Sequence, residues 1–326
     1  MLAEQLFREL LADDSHVEVG YEKGKRYTLV ARPSSSLSPS AAPLALDADS
    51  VVVLLGGARG ITALAARALA RRFRCKIELA GRSELVEEAE TPALQGAKNA
   101  ADVRRVLAGL TAERGERDPR AIDQQCRRIL ANREIRETLT ACRSAEATVN
   151  YHSIDVRDEV ALATLIDQLR KRHGRIDVVI HGAGLIEDKL IADKTAESFD
   201  RVYTTKVVPA LVLSRTLAEH ARLCVFFSST SGAFGNRGQT DYGAANDALD
   251  KLARQMDGTA KCRMLSINWG PWRGAGMVTA ELAREYERRG IGLISADAGI
   301  DSLLREIEHG QEPQVVLTAA APEALA

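Results

Sequence analysis

The sequence predicts an α/β fold: a doubly wound parallel sheet with a helical insertion and a small N-terminal appendage. Three observations carry this. Five consecutive aliphatic residues, Val51 to Leu55, suit a strand covered on both faces and run straight into Gly56-Gly57-Ala58-Arg59-Gly60-Ile61-Thr62. Beyond that turn, short apolar runs alternate with segments of helical period, the pattern of strands joined by right-handed crossovers. A chain of 326 residues with 45% hydrophobic but only 4% aromatic content can build one large core of Leu, Val, Ile and Ala, plus an appendage.

Composition removes several function classes. A net charge of −1 gives no electrostatic case for nucleic acid or for an anionic membrane. Cys75, Cys126, Cys142, Cys224 and Cys262 are scattered and odd in number, with no C-x-x-C spacing. They read as reduced, partly buried thiols and not as staples or metal ligands, so no metal is expected. No apolar run approaches membrane-spanning length, and the first residues lack a signal-peptide core, so a soluble, cytoplasmic protein is expected.

In chain order, residues 1–32 form the appendage. Leu2, Leu6 and Leu10 share a helical face, while Val17, Val19 and Tyr21 alternate, as do Tyr27 and Leu29, around a turn at Glu22 to Arg26. One helix and one hairpin cannot bury enough area to fold alone. Residues 33–50, rich in Ser, Pro and Ala, read as a linker, and residues 51–326 as the main domain. A first crossover helix is predicted from Ala63 to Arg74 and a second strand from Lys76 to Ala80. The third strand starts only at Thr148, too far for an ordinary crossover. Ala101 to Arg114 and Pro119 to Leu139 have charged helical periodicity, so residues of about 84–147 are read as a helical insertion with exposed charged faces. Further strands are predicted at Thr148–Ile154, Ile176–His181, Leu223–Phe227, Met264–Asn268 and Gln314–Thr318. Helices are predicted at Val160–His173, Phe199–Ala218, Tyr242–Gln255, Leu282–Arg289 and Ala298–His309.

In such sheets ligands sit beyond the carboxyl ends of the strands, so residues there are the functional candidates. The glycines after Leu55 let the backbone turn tightly and approach a phosphate, while the following helix aims its free N–H groups at that charge. The same glycines also suit a connection that needs them only for shape, and the pattern is irregular, with Thr62 where a small residue is usual. An acidic residue at the end of the second strand would hold an NAD ribose. Glu78 lies inside that strand, and the residue that emerges is Arg82. With Arg59 it could clamp a 2′-phosphate, favouring NADPH over NADH. Asp155 could accept from an adenine amine or cap a helix. Ser229 ends the fifth strand, and Tyr242 and Asn246 share a helix face. A Ser/Tyr pair suits carbonyl reduction, although a phenol needs a neighbouring cation to donate its proton near neutral pH.

The glycine turn, His181-Gly182-Ala183-Gly184, Phe227-Ser228-Ser229-Thr230-Ser231-Gly232, Gly238-Gln239, the Tyr242/Asn246 pair and Asn268-Trp269-Gly270-Pro271-Trp272 resemble a short-chain dehydrogenase/reductase of Rossmann type. More narrowly they resemble the ketoreductase domain of a polyketide or polyunsaturated-fatty-acid synthase, possibly of enediyne type. In most short-chain reductases a lysine follows the tyrosine by four. Here Asn246 stands there and Lys206, in Thr205-Lys206-Val207-Val208-Pro209-Ala210, matches the lysine of the preceding helix in synthase ketoreductases. The resemblance covers about residues 14–320, including Val17 to Tyr27, which looks like the end of the structural subdomain preceding a ketoreductase.

The resemblance implies NADPH-dependent reduction of a β-ketoacyl thioester on acyl carrier protein, inside a multifunctional synthase from which this domain is excised. It implies that Tyr242 is the general acid, Ser229 orients the ketone, Lys206 lowers the phenol pKa and Asn246 orders a water. It implies a cofactor site of Gly56, Gly57, Ala58, Arg59, Gly60, Ile61, Arg82, Ser83, Asp155, Val156, Gly182, Ala183, Gly184, Pro271 and Trp272. Product configuration in that family follows an acidic segment matched here by Ile186-Glu187-Asp188, and Phe234 stands where the opposite class has tryptophan, which implies a (3R) product. Glu187 and Asp188 taken alone are equally solvated loop carboxylates. A free-standing carbonyl reductase and a catalytically silent structural ketoreductase are the competing expectations. The missing Tyr/Lys pair opposes the first, and the retained tyrosine and glycine turn oppose the second.

Overall fold

A computed structural model describes residues 2–14, 18–33, 43–86, 90–113, 118–217, 219–276, 278, 280–288 and 290–320. Val17, most of the expected linker, and the terminal residues Arg114, Ala218 and Arg289 of three expected helices lie outside them. The chain forms two compact units, residues 1–36 and 37–326.

In the first unit, α1 (Leu2–Leu10) precedes a hairpin of β1 (Val19–Glu22) and β2 (Lys25–Thr28). Lys23 and Gly24 both take positive φ, 48° and 77°, the backbone that a two-residue hairpin turn requires. Arg26 donates to Glu9 at 2.8 Å and to Asp14 at 2.7 Å, tying hairpin to helix.

The second unit contains β3 (Val51–Leu55), α2 (Gly60–Phe73), β4 (Lys76–Gly81), α3 (Pro92–Gln95), α4 (Ala100–Glu113), α5 (Pro119–Ser144) and β5 (Thr148–Ser153). Then follow α6 (Glu159–His173), β6 (Val178–His181), a 3-10 turn (Ile191–Asp193), α7 (Ala196–Leu217), β7 (Leu223–Ser229), α8 (Thr230–Phe234) and α9 (Thr240–Met256). β8 (Arg263–Trp269), α10 (Ala280–Arg288), α11 (Ala296–His309) and β9 (Gln314–Leu317) complete it. The strands form one parallel sheet in the order β5-β4-β3-β6-β7-β8-β9. The chain winds outward from β3 through β4 to β5, then returns beside β3 at β6, so the crevice beyond these two strands is the topological switch point. The predicted doubly wound sheet is therefore observed.

Every residue of β3 is buried, as a strand covered on both faces demands. On one face, Val52 and Leu54 pack with Leu69 of α2, Ile135 and Leu139 of α5, and Leu303 and Ile307 of α11. On the other, Val51, Val53 and Leu55 pack with Leu162 and Ile166 of α6, Leu213 of α7 and Leu249 of α9. Local signals set the helix ends. Asp118 and Asp158 accept from first-turn N–H groups of α5 and α6, and Gly174 closes α6 at φ 74°. All five cysteines are buried and unpaired. Among the described residues no helix is long and apolar enough to cross a membrane.

The long connection from β4 to β5 differs from the expectation. α5 runs 26 residues, and its second half is the crossover helix, because Ile135, Leu139 and Cys142 belong to the main core. Only α3, α4 and the first half of α5 stand apart, around Leu94, Val103, Leu107 and Cys126. The charged periodicity hid this, since Arg and Glu occupy the outward positions of a helix whose inner face is buried. Residues 43–50, read as linker, also pack on this unit: Leu44 donates to the Glu308 carbonyl at 2.8 Å, and Leu46 lies against the core.

Gly81 marks how closely β4 approaches the glycine turn. A Cβ there would stand 2.6 Å from Gly57 Cα and 2.9 Å from the Tyr151 hydroxyl. Backbone cannot step aside cheaply, so Gly81→Ala is expected to cost about 1–3 kcal/mol of stability. Denaturant titration would show it as a lower midpoint, and a midpoint equal to wild type would contradict this packing.

Candidate active site

A cleft of about 640 Å³ opens beyond the carboxyl ends of β3, β6, β7 and β8. One end is built on glycine. Gly56 takes φ 122°, and a Cβ on it would lie 2.7 Å from the Gly182 carbonyl carbon. A Cβ on Gly182 would in turn lie 2.5 Å from Thr62 Oγ1. Thr62, which looked like a departure from the glycine pattern, is thus a buried wall packed against Gly182. Gly56 and Gly57 N–H groups both donate to the Ala80 carbonyl, at 3.0 and 2.7 Å, and Thr138 of α5 donates to the Ala58 carbonyl at 2.9 Å. The first turn of α2 has no side-chain cap, which leaves its N–H groups for an anion in the cleft. A phosphate-bearing cofactor fits beside this turn, where Gly60, Ile61 and Thr62 of the uncapped first turn of α2 line the cleft.

The other end gathers Lys206 of α7, Ser229 of β7 and Tyr242 of α9. Lys206 is buried, donates to the Phe227 carbonyl at 2.7 Å, and places Nζ 5.6 Å from the centre of the Tyr242 ring. Burial pushes its pKa down to about 8, and the charge of Asp250 opposes that shift. Burial raises the Tyr242 phenol, while hydrogen bonding to Asn246 and Ser229 pulls it back down. Asn246 donates through Nδ2 to the Tyr242 carbonyl at 2.7 Å, and its Oδ1 is buried without a protein partner. A buried acceptor in that position suits an ordered water. His181, held neutral by burial with its pKa near 3, donates through Nε2 to the Lys206 carbonyl at 2.9 Å and so fixes α7 against β6.

Behind this surface runs a buried polar network that sequence reasoning missed. Asp250 accepts from Ser266 at 2.5 Å and from Asn268 Nδ2 at 2.6 Å. Asn268 Nδ2 also reaches Ser228 Oγ at 3.1 Å and the Ser229 carbonyl at 2.9 Å, and its Oδ1 accepts from Gln314 at 2.8 Å. One signal was present: Asp250 follows Asn246 by four on α9 and shares its face.

The cleft lining includes Gly56, Arg59, Gly60, Ile61, Gly182, Gly184, Lys206, Ser229, Tyr242, Pro271 and Trp272 among the expected residues. Thr62, Glu134, Leu282 and Tyr286 join them unannounced. Arg59 is paired with Glu134 of α5, both side chains being half exposed. Arg82 lies exposed just past β4, off the cleft lining, and Ser83 accepts through its carbonyl from Tyr151 at 2.7 Å. Gly57 and Ala58 support the turn from behind, Ala183 and Val156 are buried in the core, and Asn246 stands behind Tyr242. Asp155 neither caps α6, which is capped by Asp158, nor stands free: Arg157 holds it at 2.6 Å. Glu78 is buried on His152 and His173, at 2.6 and 2.8 Å, well inside the sheet. Glu187 is held by Arg201 and Ser198, Asp188 accepts from Gln239 at 3.0 Å, and Phe234 lies partly exposed at the end of α8.

Comparison with known proteins agrees with this geometry. A family model, the KR domain, matches residues 50–274. The chain is 32% identical over 325 residues to one chain of the polyunsaturated fatty acid synthase of a Thraustochytrium species, a match of 96% of this chain and 11% of that protein. It is 32% identical over 185 residues to the polyketide synthase PksN of Bacillus subtilis, covering 53% of this chain and 3% of that protein. The chain therefore spans only a small part of these curated relatives. A solved ketoreductase domain from the bacillaene assembly line superposes with a TM-score of 0.72 at 25% identity, covering 99% of this chain and 66% of that one. A ketoreductase from the first module of phoslactomycin biosynthesis in a Streptomyces species superposes with a TM-score of 0.71 at 25% identity, over 96% of this chain and 62% of that one.

The network behind Ser229 yields a direct test. Asn268→Ala strips donors from Asp250, Ser228 and the Ser229 carbonyl at once, and leaving such buried groups unpaired costs about 1–3 kcal/mol or more. A lowered unfolding midpoint with weakened carbonyl reduction is expected, and an Asn268→Ala protein as stable as wild type would contradict the network.

Proposed function

From a chain that belongs to the KR domain family, ketoreductases of the short-chain dehydrogenase/reductase superfamily, we propose a β-ketoacyl reductase that uses NADPH and acts inside a polyketide or polyunsaturated-fatty-acid synthase. Its substrate is a β-ketoacyl thioester on acyl carrier protein, its product the (3R)-β-hydroxyacyl thioester, and its partners include neighbouring domains of the synthase. The relatives named polyketide synthase and polyunsaturated fatty acid synthase support that setting. Five buried, unpaired cysteines support a reducing, cytoplasmic one. The observation that carries the reading is the buried Lys206 ammonium beneath the Tyr242 ring, in the same cleft as Ser229 and the glycine cradle.

When bound, the nicotinamide supplies hydride to the ketone carbon. The chain's own residues handle the oxygen. Ser229 donates a hydrogen bond to the ketone oxygen and fixes its position. Tyr242 transfers its phenolic proton to that oxygen as negative charge builds there, which completes the hydroxyl and leaves a phenolate. The Lys206 ammonium lies beside that phenolate and makes the phenol a stronger acid. Asn246 Oδ1 holds a water through which the phenolate regains its proton. Gly56, Gly60 and Gly182 would hold the phosphates, and Pro271 and Trp272 would line the nicotinamide end. Arg59, which lines the cleft and pairs with Glu134, would attract a 2′-phosphate there; Arg82, exposed past β4 and off the cleft lining, would add positive charge only from outside it. Glu187 and Asp188 follow the cleft-lining Ile186, Asp188 is bonded to the cleft-lining Gln239, and with Phe234 they support the (3R) assignment.

Incubation with NADPH and a β-ketoacyl thioester tests this. Cofactor oxidation that is faster with NADPH than NADH, with a product mainly of (3R) configuration by chiral analysis, is expected. Tyr242→Phe should slow turnover by about 10²–10⁴, the scale of a lost general acid. Lys206→Ala should also lose turnover while Lys251→Ala keeps it. A mainly (3S) product, full turnover in Lys206→Ala, or oxidation only with small free ketones would overturn the corresponding part.

A further inference from the structure

The loop between β6 and the 3-10 turn, residues 182–190, supplies Gly182, Gly184 and Ile186 to the cleft. Just beyond it the chain is fastened to the start of α9. Lys189 N–H donates to the Gly238 carbonyl at 2.9 Å, and Gln239 Nε2 donates to Asp188 at 3.0 Å. These are contacts of a partly exposed surface. A third fastening is different in kind: Lys194 Nζ meets Asp241 at 2.7 Å, with side-chain exposures of only 5% and 1%. Lys194 also donates to the Glu187 carbonyl.

Desolvating two opposite charges is expensive and adds little net stability, so stability alone does not account for this pair. Here the arrangement involves the general acid. Asp241 immediately precedes Tyr242. One carboxylate oxygen accepts from Lys194, and the other accepts from the Tyr242 N–H at 2.9 Å. A single buried carboxylate thus joins the backbone of Tyr242 to the chain leaving the Ile186 loop.

We propose that Asp241 and Lys194 form a positioning clamp that fixes Tyr242 relative to the Ile186 loop, so that a ketone reaching the phenol can lie in only one orientation. The inference rests on the reductase reading above. Neither residue touches the reacting atoms; both act through Tyr242 and the loop. With the clamp released, the phenol and the loop wall move independently, and the ketone can present either face to hydride.

The test compares Lys194→Met, Asp241→Asn and the double variant with wild type, using NADPH and a β-ketoacyl thioester. Each single variant is expected to lose roughly tenfold in kcat, the cost of about 1.4 kcal/mol in the barrier. NADPH affinity, measured by fluorescence without substrate, should stay unchanged. The product should shift from one configuration toward a mixture, a readout that general destabilisation would not move. The double variant should be no worse than the worse single, because both remove one interaction. Lys194→Arg, which keeps a cation on Asp241, should recover wild-type configuration, and it carries the test if Asp241→Asn does not fold. Variants that retain one configuration, or that lose NADPH affinity in parallel with kcat, would overturn the clamp while leaving the reductase intact. A wild-type chain that reduces no β-ketoacyl thioester would remove the reductase reading and the clamp with it.

Discussion

The Lys206 ammonium sits with only 3% of the residue exposed, against the Phe227 carbonyl at 2.7 Å and beneath the Tyr242 ring. Such a charge is unfavourable to bury, which is why its pKa falls toward 8. The sign follows from linkage. Between about 8 and the ordinary lysine value the unfolded chain binds the proton that the folded chain has released, so this group's contribution to stability rises with pH in that window. Below it the fold carries a charge that costs stability. The surroundings offset that cost: the Phe227 carbonyl accepts from the ammonium, and the Asp250 charge favours it.

Positioning this charge requires three elements, of which α7 and α9 also pack directly on each other. α7 brings Lys206, β7 brings Ser229 and α9 brings Tyr242. The register of β7 on β8 sets Ser228 opposite Asn268, where Asn268 can join β7, α9 and Gln314 of β9. At the glycine end of the cleft the turn is held from α5 by Thr138, and Arg59 is held by Glu134. The long connection between β4 and β5 therefore takes part in the glycine end of the cleft.

How much of this was legible depends on sequence separation. The turn at Gly56 and the Tyr242/Asn246 pair could be read because strand burial, glycine backbone freedom and helical spacing act within a few residues. Lys206 was legible only through the family resemblance, since nothing in its own helix marks it as buried. The clamp between Lys194 and Asp241, the bond from Thr138 to Ala58 and the pairing of Arg59 with Glu134 join residues far apart in the chain, and no local pattern announces them. α5 was misread for a related reason: its charged face is conspicuous in sequence, whereas the burial of Ile135 and Leu139 depends on the sheet. Arg82 emerges from β4 as expected, yet off the cleft, because the strand's end does not fix the direction of a long side chain.

The proposed role of Lys206 is that its buried charge sets the acidity of Tyr242. The pH dependence of the hydride-transfer step, compared between wild type and Lys206→Met, tests it most directly. Below about 8 the ammonium is present, and by the proposed role the phenol is then the stronger acid; above it the ammonium is lost. The wild-type rate should therefore fall as pH rises through about 8, whereas Lys206→Met should be slow and lack that limb. A wild-type rate that stays flat through this range, or the same limb persisting in Lys206→Met, would contradict the account.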